Sequence, residues 1–228
     1  MSESIDIVIV SNCSTSTLWE MTRNAIRTAV RYAGMAIGEV FVVEQCRWSR
    51  AQPIGKMLYY DFEFNYNKCL NLGLFMSKSK YIAFCNNDLY FEQNWAKNIV
   101  QEMQRGGYLS ASPSPKHAYN GIREGYRVGK EVLGWCIVTD RAVFDKIGQF
   151  DEPVIFWYSD NVYADQIRRA GIKHVLVGRS YVRHLGHGSI TLRKISPLLR
   201  SKYQKQQEKL YNKYIEDVNN SVKIEAQS

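Results

Sequence analysis

Along most of the chain, short apolar runs alternate with longer stretches whose apolar residues recur at intervals of three and four. Residues 5–10, apolar except for Asp6, have the pattern of a buried strand. Residues 18–32 carry helical periodicity, residues 40–43 are a second strand, and residues 66–76 are helical again. A third strand at 81–85 is followed by a helix at 95–103. Further on, 135–139 and 174–177 are strand-like, while 142–147 and 162–170 are helical. Strands alternating with helices of this length predict βαβ units on a mostly parallel sheet. Residues 110–130 break the rhythm. They are rich in Ser, Pro, Gly, His and Tyr, and their pattern predicts a long loop, an element that in a compact domain is usually functional or mobile.

From residue 190 to 213 the character changes again. This stretch carries Arg193, Lys194, Arg200, Lys202, Lys205, Lys209 and Lys213 against Glu208 alone. Lys202, Lys205, Lys209 and Lys213 share one face of a helix, with Leu199, Tyr203, Leu210 and Tyr214 on another. The expected organisation is a domain over residues 1–190 and a basic, amphipathic helical extension over 191–228.

Composition narrows the class. With 228 residues, 45% hydrophobic and 23% charged, the chain has enough material for a real core, which excludes wholesale disorder and fibrous repeats. A net charge of +8 suggests an anionic partner: a nucleotide, a nucleic acid or a membrane surface. No apolar run reaches the roughly 18 residues that read as a membrane span. The first residues carry acids where a signal peptide carries bases. Cys13, Cys46, Cys69, Cys85 and Cys136 are scattered, without a Cys-x-x-Cys pair. A cytoplasmic, reducing setting is expected.

Neither Gly-x-Gly-x-x-Gly nor Gly-x-x-x-x-Gly-Lys-Ser/Thr occurs, which weighs against dinucleotide-binding and P-loop enzymes. Anion binding then needs another device, and a divalent metal on a strand-end carboxylate is one. Asn86-Asn87-Asp88 directly follows the third strand, at the sheet edge where open α/β folds bind ligands. Asp88 offers a hard oxygen to Mg²⁺ or Mn²⁺, and Asn86 or Asn87 a carbonyl oxygen or a ribose contact. Taken alone, the tripeptide reads more readily as a strand-ending turn.

Other segments accompany it in order. Ser11-Asn12 closes the first strand and Glu44 the second, and Asn65, Asn67 and Asn71 precede the third. Gly134-Trp135-Cys136, Gly148-Gln149-Phe150-Asp151-Glu152, Ser159-Asp160 and His184-Leu185-Gly186-His187-Gly188 come later. This ordered set, over about residues 5–190, resembles the family 2 glycosyltransferases of the GT-A fold. The resemblance implies an open, mostly parallel sheet flanked by helices. It also implies a nucleoside-diphosphate sugar as donor, with Mn²⁺ or Mg²⁺ as cofactor. By position, it assigns Ser11, Asn12 and Glu44 to the base and ribose, Asn86 and Asn87 to the donor site, and Asp88 to the metal. It assigns His184, or failing that His187, to metal or diphosphate, and Asp160 to the catalytic base. Glu44, Asn86 and Ser159 stand where the family carries Asp or another acid, which points to weaker metal affinity or tolerance of several metals.

Each assignment has a plainer reading. Asp160 at a helix start is also a good N-cap, His184 can be an ordinary histidine, and Trp135 and Trp157 can be core rather than sugar platforms. The leading expectation is a metal-dependent transferase that moves a sugar to an acceptor hydroxyl, with inversion, on a glycan or other polymer. The alternatives are transfer to a hydroxylated DNA base, a catalytically dead binding fold, or a nucleic-acid-binding protein without catalysis. The lysine stripe would suit an anionic polymer or a membrane surface.

Overall fold

The computed structural model describes residues 3–115, 121–186 and 197–225. Nine strands form one sheet: β1 (Ser4–Ser11), β2 (Ala36–Glu44), β3 (Lys56–Tyr59), β4 (Tyr81–Asn86), β5 (Leu89–Phe91), β6 (Ser110–Ser114), β7 (Ile122–Glu124), β8 (Cys136–Asp140) and β9 (His174–His184). The helices are α1 (Ser16–Arg31), α2 (Tyr66–Met76), α3 (Trp95–Gly106), α4 (Ala142–Ile147), α5 (Ser159–Arg169) and α6 (Pro197–Glu225). Strand order is β3-β2-β1-β4-β8-β6-β9-β5, with β7 paired to β9.

Alternation of side chains along the central strands builds two cores. Ile5, Ile7 and Ile9 of β1 face one side with Ile26 of α1 and Trp95, Ile99 and Met103 of α3. Val8 and Val10 face the other, with Tyr66 and Leu70 of α2, Phe144 of α4 and Tyr163 and Ile167 of α5. Both faces are covered, which is why these strands read as continuous apolar runs rather than alternating ones.

The expected parallel pairing holds across β3-β2-β1-β4. Beyond β4 the sheet is mixed: β8 runs antiparallel to β4 and β6, and β9 is parallel to β6 but antiparallel to β5 and β7. Chain direction reverses at β8 because its segment returns to pair with β4 rather than crossing over through a helix.

The long loop expected over 110–130 is corrected by the structure, which places β6 and β7 there and describes all of it except residues 116–120. Strand β6, Ser-Ala-Ser-Pro-Ser, is entirely buried yet has almost no apolar side chain. Its hydroxyls find partners instead. Ser110 Oγ lies 2.7 Å from Tyr163 OH and 2.8 Å from His174 Nδ1, and Ser112 Oγ accepts from the Leu133 amide. Residues 123–131 are gathered around the fully buried Glu131 carboxylate, which accepts from the Arg127 amide and pairs with the guanidinium groups of Arg127 and Arg123. Those charge-assisted bonds keep its pKa below the usual carboxylate value although burial works against them.

Candidate active site

The carboxyl ends of β1, β2 and β4 open into a cleft of about 470 Å³ lined by Ser11, Asn12, Gln45, Asn86, Asn87, Asp88 and His184 together with aromatic side chains. A second chamber of about 220 Å³ adjoins it, lined by Gly134, Trp135, Ser159 and Asp160 among others. Tyr66, Asn86, Phe156, Trp157 and His184 line both, so the two chambers share a wall.

Sheet register brings Asp88 and His184 together from 96 positions apart. Leu89 of β5 pairs with His184 of β9, which sets the preceding Asp88 beside the imidazole. Nε2 of His184 lies 3.2 Å from Oδ1 of Asp88, and the Leu185 amide donates to the Asp88 carbonyl at 2.9 Å. Asp88 is 2% exposed, and Trp135 stacks on the His184 ring with centroids 5.5 Å apart. One face of Trp135 is thereby occupied by His184, which fixes the ring that Asp88 meets. A carboxylate oxygen and an imidazole nitrogen at this spacing fit a divalent cation that completes its shell with substrate phosphate oxygens and water. Among the described residues no group of three or more His, Cys, Asp or Glu would enclose an ion with protein donors alone. His187, the other histidine singled out in the sequence, lies outside the described residues.

The remaining residues of the first chamber are held by a small polar network. Thr22 of α1, fully buried, accepts from Nδ2 of Asn87 at 2.9 Å and lies 3.1 Å from Ser11 Oγ. Asn12 Nδ2 donates to Gln45, joining the loops after β1 and β2. Asn86 accepts from the Tyr66 hydroxyl at 2.7 Å. Burial raises the Tyr66 phenol well above its ordinary pKa, so it stays a donor at any physiological pH. Glu44 is placed differently. It lines neither chamber and is fully buried, with Oε1 accepting from the amides of Cys13 at 2.9 Å and Cys46 at 2.8 Å. It therefore braces the loops that carry Asn12 and Gln45 from beneath. No partner is present for its Oε2 among the described residues.

Asp160 lies in the first turn of α5. The helix starts at Ser159, earlier than the periodicity suggested, and the N-cap is Tyr158, with φ of 69° and no side-chain capping bond. Asp160 is thus not the cap; its Oδ1 accepts from the Asn161 amide at 3.1 Å. Burial in this pocket raises its pKa above the ordinary carboxylate value, against the pull of its local backbone bonds. Gly134 must be glycine here, because a Cβ on it would sit 2.5 Å from the Cβ of Asp160. A non-glycine residue in the left-handed region costs on the order of 1–2 kcal/mol. Tyr158 is held there by stacking on Tyr211 of α6, with centroids 5.4 Å apart, and by Ser159 Oγ bonding to the Phe156 carbonyl at 2.6 Å.

Three asparagines before the third apolar strand act as staples. Asn65 donates to the carbonyls of Glu152 and Val154, Asn67 to that of Asp151, and Asn71 to that of Phe150. They tie the Gly-Gln-Phe-Asp-Glu segment to α2. Glu152 accepts from Asn71 and Asp151 from Tyr214, so both acids are engaged in the scaffold.

The family model "Glycosyl transferase family 2" matches residues 51–166, just over half of the chain. The chain belongs to glycosyl transferase family 2. Its architecture is that of the GT-A fold. Among solved structures it is similar to GalNAc-T7, crystallised with UDP, GalNAc and Mn²⁺, at a TM-score of 0.61 and 13% identity. That likeness covers 80% of this chain and 43% of the other, so this family 2 chain spans less than half of that protein's length. No curated protein matches it in sequence.

Several cleft residues carried no signal in the sequence. Tyr66 looks like one more apolar position at the start of α2, and Thr22 like a polar interruption of α1. Phe64 and Phe156 read as core, and Arg200 reads as one charge among many in a basic tail. Each reaches the site only through the fold. As for membranes, no helix among the described residues is long and apolar enough to cross one.

Proposed function

We propose that this family 2 protein transfers a sugar from a nucleoside-diphosphate sugar to an acceptor hydroxyl, with inversion, in a metal-dependent reaction. The observation that carries the reading is the pair of chambers: Asp88 lines one, Asp160 the other, and a shared wall that includes His184 joins them. The donor's diphosphate would lie in the first chamber against Asp88 and His184, with Asn12, Ser11 and Asn87 toward the nucleoside. Mn²⁺ or Mg²⁺ held by Asp88 and His184 would neutralise charge on the departing diphosphate. In the second chamber Asp160 accepts the proton of the acceptor hydroxyl as its oxygen bonds to the anomeric carbon. The bond from that carbon to the diphosphate breaks in the same displacement, and the electron pair leaves with the nucleoside diphosphate. Phe156 and Trp157 restrict water between the chambers.

The acceptor we propose is a glycan or other polymer. Lys202, Lys205, Lys209 and Lys213 are exposed, and they supply a cationic face for an anionic polymer or membrane surface. A hydroxylated DNA base is the second acceptor class that this face favours. The five cysteines are free, which suits the proposed cytoplasmic setting. The testing experiment is a thermal-stabilisation screen of nucleotide sugars with and without Mn²⁺, since a ligand that binds the folded state raises apparent stability by mass action. One donor should stabilise the protein, and do so more strongly with Mn²⁺. Stabilisation by none would remove the reading.

A further inference from the structure

We propose that Arg200, carried on the C-terminal helix, binds the donor's diphosphate, and that the docking of α6 exists to hold it over the cleft. The inference rests on the donor-site reading above. Arg200 is the α6 residue that lines the first chamber, together with Asp88, Asn12 and His184. It lies outside residues 51–166, the segment matched by the family model. A guanidinium offers a rigid fork of donors that matches phosphate oxygens, and an anion is the ligand that such a group selects in a cleft also carrying Asp88.

The way α6 docks supports this role. Arg200, Gln207, Tyr211 and Tyr214 are spaced i, i+7, i+11 and i+14, one face of a helix. Gln207 is buried and accepts from the amides of Ile155 at 2.5 Å and Phe156 at 3.4 Å. Tyr211 donates to Asp165, and Tyr214 donates to Asp151 and accepts from Arg169. These anchors grip α5 and the segment preceding it, the elements that carry Asp160 and the shared wall. The exposed lysines fall on the opposite face. About two turns of helix before Gln207, Arg200 is delivered to the cleft with its register already set. Tyr211 and Gln207 are positioning residues in this scheme.

The test measures affinity for UDP, GDP, ADP, CDP and dTDP, and for the matching nucleoside monophosphates, in Mn²⁺ by calorimetry. Arg200→Gln should weaken the preferred diphosphate by about tenfold or more while changing the monophosphate much less, because a charge-assisted contact to the outer phosphate is lost. Arg200→Lys should recover part of the loss. Tyr211→Phe, which keeps the stacking on Tyr158 but removes the bond to Asp165, should show a smaller loss of the same selectivity at unchanged fold content by circular dichroism. Equal diphosphate binding by Arg200→Gln and wild type would overturn the assignment while leaving the donor reading intact. Equal losses for diphosphate and monophosphate would overturn it as well, since the residue would then act on the fold. If the wild type binds none of the diphosphates, the donor reading and this inference fall together.

Discussion

In its proposed role Asp160 must ionise to accept a proton, yet its pocket favours the neutral acid. Its raised pKa means that the contribution to stability is present below the ordinary carboxylate pKa and is lost as pH rises through the folded value. At neutral pH the charged side chain is therefore a cost to the fold. Asp160→Asn should lower kcat by about 10²-fold or more with donor affinity nearly unchanged, while the melting temperature stays level or rises. Activity of the wild type should climb with pH along a limb lying above the ordinary carboxylate range. A variant that keeps most of its turnover would leave Asp160 without a catalytic part. Asp88 makes the opposite case, because its proposed value lies in the cation it would hold. Asp88→Ala should abolish Mn²⁺-dependent nucleotide binding, read by calorimetry, with the fold retained. Full wild-type transfer in excess EDTA would contradict the proposed metal role of Asp88 and His184.

At the scale of elements, α6 divides its faces between two tasks. The face bearing Gln207, Tyr211 and Tyr214 is committed to α5 and the segment preceding it, and the face bearing Lys202, Lys205, Lys209 and Lys213 is exposed. If that stripe contacts nucleic-acid phosphates, log affinity falls linearly with log salt, with a slope near −0.9 per contact on duplex. Changing all four lysines to Gln should then flatten the slope by roughly 3 to 4. Docking on lipid would instead show as lost binding to anionic vesicles in the same variant. No binding to duplex, single strand or anionic vesicles at low salt would reduce the stripe to a solvated face. Donor hydrolysis should survive the substitution in every case, because these lysines are directed away from the cleft.

For the molecule as a whole, buried titratable groups tie the sheet together and set its response to acid. His174 is buried between Ser110 and the Glu131 carbonyl, and desolvation pushes its pKa down to about 4. The unfolded chain takes up a proton near pH 6.5 that the folded protein refuses, so stability falls as pH drops from about 6.5 toward 4, by at most about 3 kcal/mol. Asp6 would have its pKa raised by burial, but bonds from the Ser79, Glu39 and Lys78 amides and the Ser79 hydroxyl outweigh this and lower it. Its contribution is lost only at more acid pH. Urea midpoints at pH 7 and pH 5 should therefore differ for wild type and much less for His174→Gln; equal shifts in the two would contradict the account. What the sequence determined by itself was what depends on near neighbours along the chain: the apolar strands, most helices, and the placing of Asn86-Asn87-Asp88 at a strand end. Burial on both faces of a sheet leaves a continuous apolar run that can be read directly. Strand β6 escaped because it is buried through hydroxyls rather than apolar mass, and residues 123–131 because a carboxylate and two arginines organise them. The meeting of Asp88 with His184 required the register of β5 on β9, and the place of Arg200 required the docking of α6. Those are contacts between distant segments, whose geometry no local periodicity encodes, and only the tertiary structure decided them.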